Sequence, residues 1–340
     1  MNIQQLLFDL CAANGVSGCE SELFDLIQSS LGPYAEVTAD SNGNVYAMLG
    51  NPSGDKTILL DAHLDRIGLI VTDIDQNGFV KVDKCGGMDS RVLQNARLAA
   101  QDGITGTVCC LPPHLSDGSE DKATPINKVW VDFGMNAEQV REHVKIGDTL
   151  TFVSKPRMLM NNIVTSPALD NRCSVAALIR CAEMLHGSKV RYKVVLLFSA
   201  QEETYGTGAA TGAYRVNADE AIVVDVSFAS QPDVSGQYGK IKLDGGPMIG
   251  IAPGLDKGMT NSLTALCKDK GLPYQLEPMG GRTGTNADRI AITRSGVKTA
   301  MVSVPQRYMH TAVEAVAIDD IERTAGLLAA YIQNGGVQDA

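Results

Sequence analysis

Three shortages in this sequence each close off a class of function. It has no long uninterrupted apolar run: charges or glycines break every candidate window before the roughly 20 residues of a bilayer span are reached. It is short of basic side chains, with 29 Lys and Arg against 39 Asp and Glu, and a net charge of -10 repels phosphate backbones and anionic lipid. Nucleic acid and membrane surfaces are therefore not expected partners; peptides or small molecules are. It also has no Cys-x-x-Cys pair among its eight cysteines, so a cysteine-ligated zinc site is not expected. The opening stretch, Met1 to Leu10, reads as an amphipathic helix with Asp9 inside it rather than as an export signal. The cysteines then read as reduced packing residues of a cytoplasmic protein. Aromatics are scarce at 5%, yet 44% hydrophobic content over 340 residues is ample for a core, and the length suggests about two domains.

What is present is a set of buried-strand patterns. Thr57 to Ala62, Lys193 to Ser199, Ala221 to Val226 and Lys298 to Val304 are short apolar runs without polar alternation, as expected of strands covered on both faces. Helical periodicity lies around them at Glu20 to Leu31, Arg172 to Leu185, Asn261 to Lys270 and Ile318 to Ile332. Strands alternating with helices predict an α/β fold with a mostly parallel central sheet flanked by helices. Between about Gly68 and Val153 the pattern changes to short alternating segments, such as Gly78 to Val82 and Gly106 to Val108, separated by Gly, Asp and Pro turns. The expected organisation is an α/β domain from 1–67 and 154–340, interrupted by a small β-rich insertion at 68–153.

Each buried run ends in residues that bind metal or move protons. Thr57 to Ala62 leads into His63 and Asp65, and Lys193 to Ser199 into Glu202 and Glu203. Ala221 to Val224 leads into Asp225, and Lys298 to Val304 leads through a short loop to His310. Open α/β sheets build their sites beyond the carboxyl ends of parallel strands, and Asp170, just before a helix, can join that crevice. Two imidazoles with several carboxylates suit zinc, and also cobalt or manganese. One carboxylate can bridge two ions about 3.5–4 Å apart, and Asp170 fits that place. In the pair Glu202 and Glu203, one can hold metal while the other handles protons.

These motifs, Asp61 to Gly68, Ala168 to Arg172, Ser199 to Glu203, Val224 to Val226 and Arg307 to His310, resemble the cocatalytic di-zinc aminopeptidases of the glutamyl and tetrahedral aminopeptidase type, in that family's order and over nearly the whole chain. The resemblance implies a zinc-exopeptidase-like fold with an inserted β-barrel. It implies two divalent metal ions, one on His63, Asp170 and Asp225 and the other on Asp170, Glu203 and His310. Glu202 would be the general base, and Asp65 would accept the proton on the far nitrogen of His63. It further implies a peptide substrate trimmed from its N-terminus, and a homo-oligomer in which the insertion makes dimers that can assemble into a dodecamer. The sequence departs from the family at Arg66, often Glu, and at Asn171, where a second Asp is usual; neither is an expected ligand.

Taken singly, each residue has a plainer reading. His63 could be a core histidine, Glu202 and Glu203 a solvated pair, Asp225 a helix cap, and His310 a packing residue. His114, His143 and His186 are expected at the surface or in packing. Gly280 to Thr285 lacks the GKS or GKT ending of a phosphate loop and reads as a loop near the crevice or a plain connection. Arg307 and Tyr308 could meet substrate, a neighbouring subunit or only their own fold. The rival functions are a two-metal amino-acid deacylase, a glycan hydrolase, which generally needs two opposed carboxylates without metal, and a catalytically idle metal-binding assembly protein.

Overall fold

The computed structural model describes residues 1–111, 113–115 and 123–337. The expected buried strands form its centre as Thr57–His63, Lys193–Ser199, Glu220–Phe228 and Lys298–Arg307. They run parallel and adjacent, with Lys193–Ser199 beside Thr57–His63, then Glu220–Phe228, then Lys298–Arg307. Further strands, which the apolar runs did not reveal, extend the sheet to 11 strands among the described residues; they include antiparallel Val45–Gly50 on one flank and antiparallel Glu314–Ala317 with Ile163–Ser166 on the other.

Period-two geometry sorts the central side chains into two cores. Ile58, Leu60, Val194, Leu196, Ile222 and Val224 enter the larger one, together with helices Ile3–Ala12, Glu22–Leu31, Leu169–Leu185, Lys257–Lys270 and Ile318–Asn334. Their neighbours Leu59, Val195, Leu197 and Val223 enter a smaller core under Thr207–Val216 and Ala287–Ile290. With helices over both faces, neither register of a strand meets water, so the polar alternation of a one-sided sheet is missing. The last helix carries Asp319 and Asp320 in its first turn, where the helix dipole favours negative charge, and stops at Gly335, whose φ of 89° few other residues tolerate.

The β-rich stretch is a closed six-stranded barrel built from strands between Gly68–Ile74 and Thr149–Phe152. Its apolar centre, including Leu69, Val80, Val131, Val140 and Leu150, is a cluster of its own. Closure leaves no strand edge unpaired. Only Leu64 to Ile67 separate the barrel from the end of the Thr57–His63 strand, so it hangs directly beside the carboxyl ends of the parallel strands.

Candidate metal centre

The same strand register that builds the cores aims the site. Along Thr57–His63 the odd positions Leu59, Asp61 and His63 share a face, and along Glu220–Phe228 so do Ala221, Val223 and Asp225. The sheet puts Ser199 beside His63 and Ser303 beside Asp225, so the ends of four strands meet in one crevice. Asp170 reaches it from a break in the Leu169–Leu185 helix, where Asp170 and Asn171 leave helical geometry after a left-handed Ala168 (φ 64°); the Asp170–Asn171 peptide is cis. Glu202 and Glu203 follow a tight turn at Gln201 (φ 60°), whose amide donates to Glu20 at 3.1 Å. His310 lies beyond Lys298–Arg307 with φ 62°.

All five expected ligands and the expected base converge. Asp170 stands in the middle, its Oδ1 3.2 Å from His63 Nε2 and its Oδ2 3.2 Å from His310 Nε2. Asp225 lies 3.7 Å from His63 Nε2, and Glu203 lies 3.3 Å from His310 Nε2. Two overlapping trios result, His63, Asp170 and Asp225, and Asp170, Glu203 and His310, each with donor atoms within 4.8 Å of one another. Two donors of a tetrahedral zinc ion, each at about 2.0–2.1 Å, stand about 3.3 Å apart, so these spacings fit such an ion. Glu203 Oε1 is buried with no hydrogen-bond partner among the described residues, which leaves an acceptor free for a cation.

The electrostatics make the same point. Burial pushes the Glu202 carboxyl up to about 9 and the Glu203 carboxyl up to about 7, with neighbouring carboxylates adding to both, and burial raises Asp225 as well. Burial also works against charge on Asp170 and on both histidines, but pairing outweighs it. Asp170 is held well below the usual carboxylate range, while His63 is raised and His310 is pushed up to about 11. The carboxylates around both imidazoles favour positive charge there, the same charge that cations between those groups would supply.

Around the centre, the neighbours aim the ligands. Asp65 accepts the amides of Glu202 and Glu203 at 2.9 and 3.0 Å and the Ser17 hydroxyl. His63 Nδ1 faces both the carbonyl of Asp65, at 3.1 Å, and its carboxylate, at 3.4 Å, so the expected carboxylate partner shares that contact with its own backbone. His310 Nδ1 meets the carbonyl of Gly87, at 2.8 Å, a residue of the barrel. A Cβ on Gly87 would come within 2.7 Å of that nitrogen, so only glycine lets the barrel approach.

The crevice, about 400 Å³, is also lined by Phe228, Thr283, Thr285 and Met309, which puts part of the Gly280 to Thr285 loop at its wall. Glu202 additionally lines an adjoining cavity of about 460 Å³ with Tyr205, Arg282 and Arg289. Arg307 instead donates to the carbonyl of Ser230 at 2.6 Å, and Tyr308 is exposed. His143 pairs with Asp102, His186 stacks edge-on with Tyr34, and His114 is exposed, all away from the centre. Sequence reasoning missed Gly87 and Glu314. A paired glycine at Gly86 and Gly87 and a carboxylate four residues after His310 were the available signals.

A model of the M42 glutamyl aminopeptidase family matches residues 43–327. The lysyl aminopeptidase of Pyrococcus furiosus is 30% identical over 338 residues, covering 97% of this chain and 96% of that protein. Among solved structures, an aminopeptidase from the archaeon Desulfurococcus kamchatkensis aligns with a TM-score of 0.92 at 29% identity, covering 99% of this chain and 98% of that one. The TET1 peptidase of Pyrococcus horikoshii, which can assemble into a tetrahedron or a large octahedral shell, aligns with a TM-score of 0.86 at 28% identity, covering 97% and 99%.

Proposed function

Because the chain belongs to the M42 glutamyl aminopeptidase family, and is an aminopeptidase of that family, we propose that it removes N-terminal residues from peptides with two divalent ions, zinc foremost and cobalt or manganese as alternatives. His63, Asp170 and Asp225 hold one ion, and Asp170, Glu203 and His310 the other. The observation that carries this reading is the pair of ligand trios sharing Asp170, with Glu202 beside them and in neither. When bound, such ions supply Lewis acidity to the attacking water and to the scissile carbonyl.

The rest of the chemistry belongs to the chain. Glu202 Oε2 lies 4.0 Å from His63 Nε2, close to both trios, and its carboxylate takes a proton from the attacking water and returns it to the leaving amine nitrogen. Asp65 holds the Glu202 amide, so the base cannot drift from the ligands it serves. The carboxylate-rich crevice also suits the positively charged free amino end of a peptide.

The same reading divides the chain into a catalytic domain, 1–67 with 154–340, and a dimerisation domain, 68–153, the closed barrel. Dimers would assemble into a dodecamer, in line with the assembling TET1 relative. It puts the protein in the cytoplasm, a setting that suits its eight unpaired cysteines. No helix among the described residues is long and apolar enough to cross a membrane.

Metal-free protein reconstituted with zinc, cobalt or manganese, assayed on aminoacyl-nitroanilides beside N-acyl amino acids, tests the activity. Turnover only of substrates with a free amino terminus is expected. Cleavage of the N-acyl compounds instead would establish the deacylase. A metal-loaded protein inert on a broad peptide panel would establish the assembly role, and chelator-resistant activity on a polysaccharide the glycan hydrolase.

A further inference from the structure

Glu314 has no place in the chemistry above, yet it is one of the most buried carboxylates in the fold, 2% exposed. It opens the strand Glu314–Ala317, which lies between the two strands that deliver Asp170 and His310. On one side Glu314 pairs with Ser166, at the end of Ile163–Ser166 and just before Asp170. On the other, Ala315 pairs with Arg307, at the end of the strand that runs on to His310. From that position its two oxygens reach the two loops. Oε2 accepts the backbone N–H of Asp170 at 3.1 Å, and Oε1 accepts the backbone N–H of His310 at 2.9 Å.

The arrangement repeats what Asp65 does on the other side of the crevice, where one buried carboxylate accepts the amides of Glu202 and Glu203. Both residues tied by Glu314 need fixing. Asp170 sits where the helix leaves regular geometry, and His310 has a left-handed backbone (φ 62°) that a β-carbon disfavours. Burial and the neighbouring Asp170 disfavour charge on Glu314, and Arg66, also buried, offsets only part of that.

We propose that Glu314 is a positioning residue of the metal centre: it binds no ion itself and sets where Asp170 and His310 stand. The proposal rests on the two-ion reading. It carries a selectivity that a merely structural carboxylate would not have, because Glu314 ties two of the three ligands in the Asp170, Glu203 and His310 trio but only Asp170 in the trio with His63 and Asp225.

The test uses the full chain, stripped of metal and titrated with cobalt(II), with its visible absorption and a competing chelator reporting each binding step. Wild type, Glu314→Gln and Glu314→Asp are compared. Glutamine keeps the shape but turns an N–H donor toward one of the two amides; aspartate keeps the charge but falls short of both. The wild type is expected to take two ions. Both variants should bind one of them 10–100-fold more weakly, and the other with a smaller loss, at unchanged metal-free secondary structure. Turnover should return toward wild type at saturating cobalt. Equal weakening of the two ions, or none, overturns the proposal, whereas a wild type that takes up no metal overturns the two-ion reading beneath it. Should neither variant fold, amide exchange in the wild type decides. The His310 N–H should exchange far more slowly than its neighbours in the same loop, and exchange as fast as theirs overturns the proposal.

Discussion

Replacing Glu202 with glutamine removes one proton-accepting group and leaves its surroundings nearly unchanged. The residue belongs to neither ligand trio, its side chain lies 4.0 Å from the nearest imidazole nitrogen, and its anchorage is through its backbone amide, 2.9 Å from Asp65, which the substitution does not touch. Glu202→Gln should therefore bind two ions as the wild type does and lose turnover alone. A positioned general base contributes roughly 10²–10⁴-fold, about 2.7–5.5 kcal/mol of barrier, and that loss should fall on kcat with KM little changed. Metal content by mass spectrometry beside steady-state kinetics on an aminoacyl-nitroanilide separates the two effects. The metal-free protein offers a second readout. Burial pushes the Glu202 carboxyl up to about 9, so the folded chain keeps this proton at pH values where the unfolded chain has lost it. Folded stability from this group is then fully present in acid and declines as pH rises through the ordinary carboxylate range toward 9. Glutamine cannot lose that proton, so the variant should match wild type in melting temperature in acid, exceed it by a widening margin as pH rises through the ordinary carboxylate range, and keep the full margin above pH 9. Turnover within tenfold of wild type, with both ions bound, would remove Glu202 from its role.

Chelation should abolish activity and lower the melting temperature, because it leaves desolvated carboxylates facing one another. Restoring free zinc to 100 times its dissociation constant should return about 2.7 kcal/mol of stability, measurable as a thermal shift. Gly87→Ala would place a methyl group 2.7 Å from His310 Nδ1 and 2.8 Å from its Cε1, so the ring must turn away. Metal affinity should fall at least about tenfold, while melting of the metal-free protein stays near wild type; a variant that binds metal normally would show that the barrel does not orient His310. Asp40 neither lines the crevice nor belongs to a ligand trio. Burial acts to raise its carboxyl, but hydrogen bonds from Tyr46, Asn44 and the backbone of Asn42 and Asn44 outweigh that and hold it below the usual range. Its stabilisation is present above the ordinary carboxylate range and is lost as pH falls through the lowered value. Asp40→Asn should therefore lower the melting temperature at pH 7, with the gap to wild type closing in acid.

The chain by itself determined the central strands and the identity of the chemical groups. A strand covered on both faces must be continuously apolar, so Thr57 to Ala62 or Lys193 to Ser199 announces itself locally, and an ionisable side chain at the end of such a run is conspicuous there. That is why His63, Glu202, Glu203 and Asp225 were legible, and why the expected ligands are the ones that meet. The antiparallel flanks were not legible, because strands of four to six residues such as Glu314–Ala317 take their partners from distant chain and carry too little pattern of their own. The same holds for the groups that aim the ligands. Gly87 comes from a barrel 223 positions before His310, and Glu314 reaches Asp170 across 144 positions. A glycine in a loop and a glutamate at a strand's start look ordinary in sequence, since what distinguishes them is the backbone brought against them. Local patterning chose which donors exist; tertiary packing chose their spacing, their orientation and the water-poor surroundings that shift their charges.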